Sequence, residues 1–200
     1  MTPGISSGAM ALDPSVVVFD ACVLYPFHLR NIVVQIAVDR LVDARWTDEI
    51  HGEWIRNLVV DRPGIPVDRL LVTRKLMNDA LPDATVTGYE AHIEAVTLPD
   101  PRDRHVVAAA IKARASVVLT WNLRDFPTRE LKKHELVRQT PDVLLANLYK
   151  KTPDLTLASL ANARRNLSKS RISASGFIDI LRNQKLIQLS KNLKKHLTDL

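Results

Sequence analysis

The chain has 200 residues, a formal net charge of +6 and one cysteine, Cys22. This length fits one domain, or one domain with an extension. No apolar run reaches the roughly 18 residues that a membrane span needs, so the sequence predicts no transmembrane helix. The start of the chain lacks the regions of a secretory signal, and a lone cysteine excludes an internal disulfide. We therefore expect a cytoplasmic protein in a reducing compartment.

The positive charge is concentrated in the last quarter of the chain. Residues 151–200 contain ten Lys and Arg against three Asp, a balance of +7, which leaves −1 for residues 1–150. Such asymmetry indicates contact with nucleic acid or with an acidic protein. The candidates for phosphate contact are Arg164, Arg165, Lys169 and Arg171. The alternative is a solvated, lysine-rich helical face.

The hydrophobic pattern divides the chain into three parts. Residues 1–15 show no periodicity and are predicted to be disordered. Residues 16–150 alternate apolar strands with amphipathic helices, which predicts an α/β domain with a central parallel sheet and right-handed crossovers. Residues 151–200 are predicted to be a basic helical extension without strands.

The sequence predicts five strands and seven helices. The predicted strands are residues 16–19, 44–46, 93–98, 117–120 and 136–137. The predicted helices are residues 29–42, 48–60, 67–80, one that starts near Asp103 and ends near Arg114, and 142–149, 156–167 and 175–197. Thr47 has the character of an N-cap for the helix 48–60.

Four carboxylates from distant segments are predicted to gather at one edge of this sheet. Asp20, Asp103 and Asp125 each follow a predicted strand, and Glu53 lies on the helix 48–60. Open α/β sheets bind ligands beyond the carboxyl ends of their strands. An aspartate that closes a buried strand, as Asp20 does, is costly to bury without a partner. The pattern therefore indicates a ligand site.

The residue types in this set suit a hard metal ion. Clustered carboxylates raise one another's pKa, and they can all ionise only if a cation neutralises them. Oxygen ligands favour Mg²⁺ or Mn²⁺, and two such ions about 4 Å apart can activate water for phosphodiester cleavage. Asp100 and Asn122 lie next to the set. The alternative for Asp100 and Asp103 is helix capping, and for Glu49, one turn before Glu53, it is a surface position beside Arg56.

Four segments resemble the motifs of PIN-domain proteins, in the branch of the VapC-type toxins of bacterial toxin–antitoxin pairs. They occur in the family's order within about 16–149, as Phe19–Pro26, Trp46–Glu53, Leu98–Val106 and Thr120–Pro127. The resemblance implies a PIN-like three-layer α/β/α fold and an Mg²⁺- or Mn²⁺-dependent ribonuclease. It also implies an RNA substrate and a small antitoxin partner.

The resemblance also implies roles for individual residues. The family has four metal-binding carboxylates. Asp20, Glu53 and Asp103 are similar to three of them, and Asp125 is similar to the fourth. Asn122 accompanies Asp125, at a position near which many relatives carry an aspartate. Thr120 resembles the hydroxyl residue beside the site.

Other classes of function stay open from the sequence alone. One is a catalytically silent PIN-fold module that binds RNA or protein, although the acid set is complete. Others are a structure-specific DNA nuclease and a phosphatase, but a haloacid-dehalogenase phosphatase would need Asp-x-Asp where this chain has Ala21 and Cys22 after Asp20.

Three further interpretations concern the tail and the residues beside the motifs. The tail could dock an antitoxin or a second copy of the chain as a homodimer instead of contacting RNA. His105 is interpreted as a packing or hydrogen-bonding residue, because it has no zinc-ligand spacing with His51. Cys22 is interpreted as buried packing.

Overall fold

A four-stranded parallel sheet with the order β2-β1-β3-β4 lies at the centre of the computed structural model, which describes residues 14–167 and 170–200. The strands are β1 Val16–Phe19, β2 Asp43–Arg45, β3 Val117–Leu119 and β4 Val137–Gln139. All three pairings are parallel. The predicted α/β class and parallel sheet are confirmed. The disorder predicted for residues 1–15 falls outside the described residues, except at Pro14 and Ser15.

The helices connect these strands and cover the sheet. They are α1 Ala21–Leu24, α2 Phe27–Val38, α3 Asp48–Asp61, α4 Val67–Ala80, α5 Arg104–Lys112, α6 Thr128–Lys132, α7 Pro141–Lys151, α8 Pro153–Arg165, α9 Ala174–Asn183 and α10 Ile187–Leu193. Short 3₁₀ helices lie at Pro82–Ala84, Glu90–Ala95 and Pro101–Asp103. Among the described residues, no helix combines the length and apolar character that a membrane span requires.

The two central strands are apolar because they are buried on both faces. Val17, Val18 and Phe19 of β1 are fully buried, as are Val118 and Leu119 of β3. From β1 the chain moves to β2 on one side and then to β3 on the other. The strand order therefore reverses between β1 and β3, and a crevice is expected at their carboxyl ends.

The helix that carries Glu53 begins as the sequence predicts. Thr47 is the N-cap of α3, and its side-chain oxygen accepts a hydrogen bond from the Ile50 N–H at 3.1 Å. Ile50 and Trp54 are fully buried on one face of α3. This buried face fixes the rotation of the helix, and Glu53 lies beside it and only partly exposed.

The predicted strand at residues 93–98 is wrong. Its first residues belong to the 3₁₀ helix Glu90–Ala95, where Ile93 packs against a small cluster that includes Ala108 and Ala109 of α5. Val96 and Leu98 are buried in the main core. The Thr97 N–H donates to Glu130 Oε1 of α6 at 2.9 Å. A buried side chain therefore satisfies a backbone group that a neighbouring strand would otherwise have paired.

The helices after Lys151 share the hydrophobic core of the sheet. Phe177, Leu181 and Leu189 are fully buried within the same cluster as β1. The single helix predicted at residues 175–197 is wrong, because α9 and α10 are separated by Lys185, whose φ is 62°. In the predicted break at residues 168–173, the first two residues fall outside the described chain.

Candidate functional site

Asp20 lies at the carboxyl end of β1 and is 4% exposed. Its backbone N–H donates to the Leu119 carbonyl at 3.0 Å, which continues the pairing of β1 with β3 by one residue. Burial raises the pKa of the Asp20 carboxyl above its ordinary value. Hydrogen bonds from Thr120 and Cys22 oppose this rise, and the nearby charge of Glu53 adds to it.

Two side chains donate to the same oxygen of Asp20. Thr120 Oγ1 donates to Asp20 Oδ2 at 2.6 Å, and Cys22 Sγ donates to it at 3.1 Å. Thr120 follows β3 and is fully buried. These bonds leave Oδ1 as the oxygen that neither Thr120 nor Cys22 engages.

Asp103 reaches this edge through the 3₁₀ helix Pro101–Asp103, and not from the end of a strand. It occupies the N-cap position of α5, but its side chain makes no capping hydrogen bond. Asp100 behaves differently, because its carboxylate accepts the Arg102 N–H at 2.9 Å and pairs with the Arg102 guanidinium at 2.7 Å. These bonds lower the pKa of Asp100. Capping therefore describes Asp100 but not Asp103.

The electrostatics of Asp103 connect the four predicted carboxylates. The pKa of Asp103 is raised to about 6, first by burial and then by the charges of Asp20, Asp100, Asp125 and Glu53, in that order. A carboxylate responds in this way to negative neighbours that lie close enough to repel it. The fold therefore brings Asp20, Glu53 and Asp125 within electrostatic reach of Asp103.

The donor set suits a hard divalent cation, although its side chains do not yet converge. Across residues 14–167 and 170–200, no three His, Cys, Asp or Glu side chains meet closely enough to hold a metal ion as they stand. The available ligands are carboxylate oxygens, which Mg²⁺ and Mn²⁺ prefer. The excess negative charge that raises the pKa of Asp103 would be relieved by a cation. Binding would require the carboxylates to turn toward a common point.

Glu53 and Glu49 lie one turn apart on α3 and both approach His105. His105 is 5% exposed. Its Nε2 lies 3.7 Å from Glu53 Oε2, and its Nδ1 lies 3.8 Å from Glu49 Oε2. Glu49 Oε2 also accepts the Tyr89 hydroxyl at 2.9 Å. Glu49 is exposed, as predicted, and it contacts His105 and Tyr89. His105 is a neighbour of the site that sequence spacing did not indicate.

Asn122 and Asp125 lie in the loop that follows β3. The Asp125 N–H donates to the Asn122 carbonyl at 3.1 Å, and the Asn122 N–H donates to Thr120 Oγ1 at 2.9 Å. The Asn122 residue is exposed, and Asp125 is partly buried. Asn122 therefore contributes to the site through its backbone N–H, which orients the Thr120 hydroxyl that donates to Asp20.

Cys22 takes part in the site in a way that the sequence interpretation missed. Besides donating to Asp20, its Sγ accepts the Trp121 N–H at 3.3 Å. Burial and the charge of Asp20 raise the pKa of the Cys22 thiol, so it is present as a protonated donor. The sequence signal for this role was the position of Cys22, two residues after the aspartate that ends β1. The first turn of α1 brings the thiol back toward that carboxylate.

The four basic residues predicted to contact phosphate do not share one environment. The Arg164 guanidinium donates from Nε to the Leu200 carbonyl and from Nη1 to the Ile172 carbonyl, both at 2.7 Å. Arg165 and Arg171 are exposed, and Lys169 lies outside the described residues. Arg164 therefore links α8 to Ile172 and to Leu200 within the tail, while Arg165 and Arg171 occupy surface positions.

The fold and the site define an α/β protein with a carboxylate cluster at the carboxyl edge of a parallel sheet. Over 67 residues it is 39% identical to the Mycobacterium tuberculosis protein named "Putative ribonuclease VapC50". The match covers 34% of this chain and 39% of that protein, so it spans about two fifths of the relative's length. No family profile matches the chain, and no solved structure matches it. The match agrees with the resemblance to VapC-type proteins over that part of the chain.

Proposed function

We propose that this protein is a PIN-like, Mg²⁺- or Mn²⁺-dependent endoribonuclease and the toxin of a toxin–antitoxin pair. The observation that carries the proposal is the proximity of Asp20, Glu53 and Asp125 to Asp103 at the carboxyl edge of the sheet, where their charges repel the Asp103 carboxylate and add to burial in raising its pKa. A divalent cation relieves such repulsion and supplies the chemistry of phosphodiester hydrolysis.

The proposed cation ligands are Asp20, Glu53, Asp103 and Asp125. When bound, the ion would activate a water molecule and stabilise the leaving oxygen of the phosphodiester. The protein's own contribution is to fix these carboxylates. Thr120 donates to Asp20, and the His105 ring lies against Glu53. The hydrogen bonds of Thr120 and Asn122 fold the loop that carries Asp125.

The choice of RNA and of a toxin role has separate support. The similar Mycobacterium tuberculosis protein carries the name "Putative ribonuclease VapC50". By the same resemblance, the partner is a small antitoxin. The exposed arginines Arg165 and Arg171 offer contacts for phosphate groups that are independent of base sequence.

Cleavage assays with three substrates test the proposed reaction. The purified chain is incubated with mixed-sequence single-stranded RNA, a matched DNA and p-nitrophenyl phosphate, each with Mg²⁺, Mn²⁺ or a chelator. We expect RNA cleavage with either ion and none with the chelator. Cleavage that survives chelation contradicts the cation dependence. RNA binding without cleavage would instead favour the silent module, and cleavage of DNA alone would favour a DNA nuclease.

The toxin role is tested separately from the reaction. The reading frame next to this gene should encode a small DNA-binding protein, and its product should co-purify with the chain and suppress RNA cleavage. An active ribonuclease that has no such neighbour, and that does not arrest growth when expressed alone, would contradict the toxin role while leaving the reaction in place.

A further inference from the structure

Cys22 touches the Asp20 carboxylate, but the cation chemistry proposed above assigns it no role. Its thiol makes polar contacts at 3.1 Å with Asp20 Oδ2, at 3.3 Å with the Trp121 N–H and at 3.5 Å with Thr120 Oγ1. A cysteine that only fills space in a core would not need this set of polar partners.

Two parallel chains of hydrogen bonds converge on Asp20 Oδ2. In one, the Asn122 N–H donates to Thr120 Oγ1 at 2.9 Å, and the hydroxyl donates to Oδ2 at 2.6 Å. In the other, the Trp121 N–H donates to Cys22 Sγ at 3.3 Å, and the thiol donates to Oδ2 at 3.1 Å. Each side-chain donor is thus directed by a backbone N–H of the loop after β3.

This arrangement fixes the carboxylate more strongly than one donor would. The last torsion of an aspartate side chain is broad, so a single hydrogen bond leaves the plane of the carboxylate free to rotate. Two donors that approach one oxygen from different residues restrict that rotation. Outer hydrogen bonds of this kind orient metal ligands and contribute strongly to metal affinity.

We propose that Cys22 is a positioning residue that, together with Thr120, holds Oδ2 of Asp20 and leaves Oδ1 for the cation. The proposal rests on the proposed function, because it concerns the same carboxylate. It differs from a packing role in one respect. Only the hydrogen-bond donor matters for positioning, whereas packing depends on volume.

The test compares variants of Cys22 that keep or lose the donor. Mn²⁺ affinity is measured by calorimetry for the parent, Cys22→Ser, Cys22→Ala and Cys22→Val, and the melting temperature of each is recorded. Cys22→Ala and Cys22→Val should bind Mn²⁺ about tenfold more weakly, at the lower end of the loss expected for an outer partner. Cys22→Ser should recover most of the affinity, because its hydroxyl can donate to Oδ2. Kinetically, the donor-free variants should need more Mn²⁺ with little change in KM for RNA.

Each outcome separates this proposal from the function on which it rests. A parent that binds no Mn²⁺ overturns the proposed function. A parent that binds Mn²⁺ no more tightly than folded Cys22→Ala or Cys22→Val overturns the positioning role of Cys22 alone. Equal losses in Cys22→Ser and the donor-free variants also overturn it, since volume would then be the cause. If Cys22→Ala does not fold, Cys22→Val, which retains more volume, provides the donor-free comparison.

Discussion

Asp103 carries an electrostatic cost in the folded protein that should be visible as pH-dependent stability. Its pKa is raised from 3.8 to about 6 by burial and by neighbouring carboxylates, so folding disfavours its ionised form. The penalty is absent at pH values below the ordinary pKa, grows as pH rises toward 6 and is complete above that value. Without divalent cations, Asp103→Asn should therefore be more stable than the parent at neutral pH, and the difference should be small near pH 4, just above the ordinary pKa of 3.8.

Urea unfolding of both proteins at the two pH values measures this difference. A parent that is as stable as Asp103→Asn at neutral pH would show that burial and the neighbouring carboxylates do not disfavour ionised Asp103 in the folded chain. Addition of Mn²⁺ should stabilise the parent more than the variant, because the ion binds the folded state.

Glu53 and Glu49 provide a matched pair of substitutions on one face of α3. Glu53→Gln should lose most RNA cleavage, because it removes a proposed cation ligand. Glu49→Gln should lose little, since its side-chain oxygen can still accept the Tyr89 hydroxyl. Initial rates in saturating Mn²⁺ compare the two variants. If Glu49→Gln is the inactive variant instead, the ligand assignment on α3 is one turn out of place.

At the scale of elements, the sequence predicted those strands and helices whose boundaries depend on neighbouring residues in the chain. The apolar run of β1 and the Thr47 cap of α3 were recognisable because burial on both faces and N-capping leave direct marks on the sequence. Residues 93–98 looked like a strand because their apolar spacing resembles one. Their actual partners include α5, Glu130 and the main core, which are distant in sequence, so no local pattern shows that packing and a side-chain acceptor replace strand pairing.

The junction between the sheet and the tail also offers an element-scale prediction. Buried Asp142, at the start of α7, accepts the N–H groups of Gln188 and Leu189 at 2.9 and 3.0 Å, and so caps α10 from another helix. Asp142→Ala should destabilise the protein by about 1–2 kcal/mol, the usual effect of a lost cap. Asp154→Ala, at an exposed first-turn position of α8, is the control and should change stability by less than about 0.5 kcal/mol.

Denaturant midpoints of the two alanine variants measure how much the Asp142 cap contributes to stability. Equal midpoints for Asp142→Ala and Asp154→Ala would mean that the tail adds no stability through this cap. A lower midpoint for Asp142→Ala alone supports a tail that is joined energetically to the sheet, as its buried Phe177 and Leu181 indicate.

At the scale of the whole molecule, the basic residues of the tail fall into two kinds: those that stabilise its packing and those that are exposed. The sequence predicted helices and basic character there, but it could not show which arginine is structural. Arg164 differs from Arg165 only by its tertiary partners, the carbonyls of Leu200 and Ile172. For the same reason, the sequence could place Asp20 at a strand end but could not show that Cys22 and Thr120 restrain one of its oxygens.

A salt titration tests whether the exposed arginines contact RNA phosphates. If Arg165 and Arg171 each neutralise one phosphate of single-stranded RNA, substituting both with Gln should make the slope of log affinity against log salt shallower by about 1.4. Arg164 is left unchanged because its loss would disturb the tail itself. Parent and variant with identical slopes, but loss of a co-purifying protein, would assign this surface to an antitoxin or a second copy of the chain.

The most direct test of the central claim is the rate of RNA cleavage in Mn²⁺ by Asp20→Asn and Asp103→Asn. Each substitution keeps the size of the side chain and removes one negative charge from the carboxylate cluster. Both variants should fold at least as stably as the parent and should lose nearly all cleavage, while Glu49→Gln cleaves at close to the parent's rate. Undiminished cleavage by a folded Asp20→Asn or Asp103→Asn would contradict the assignment of these carboxylates to the catalytic cation.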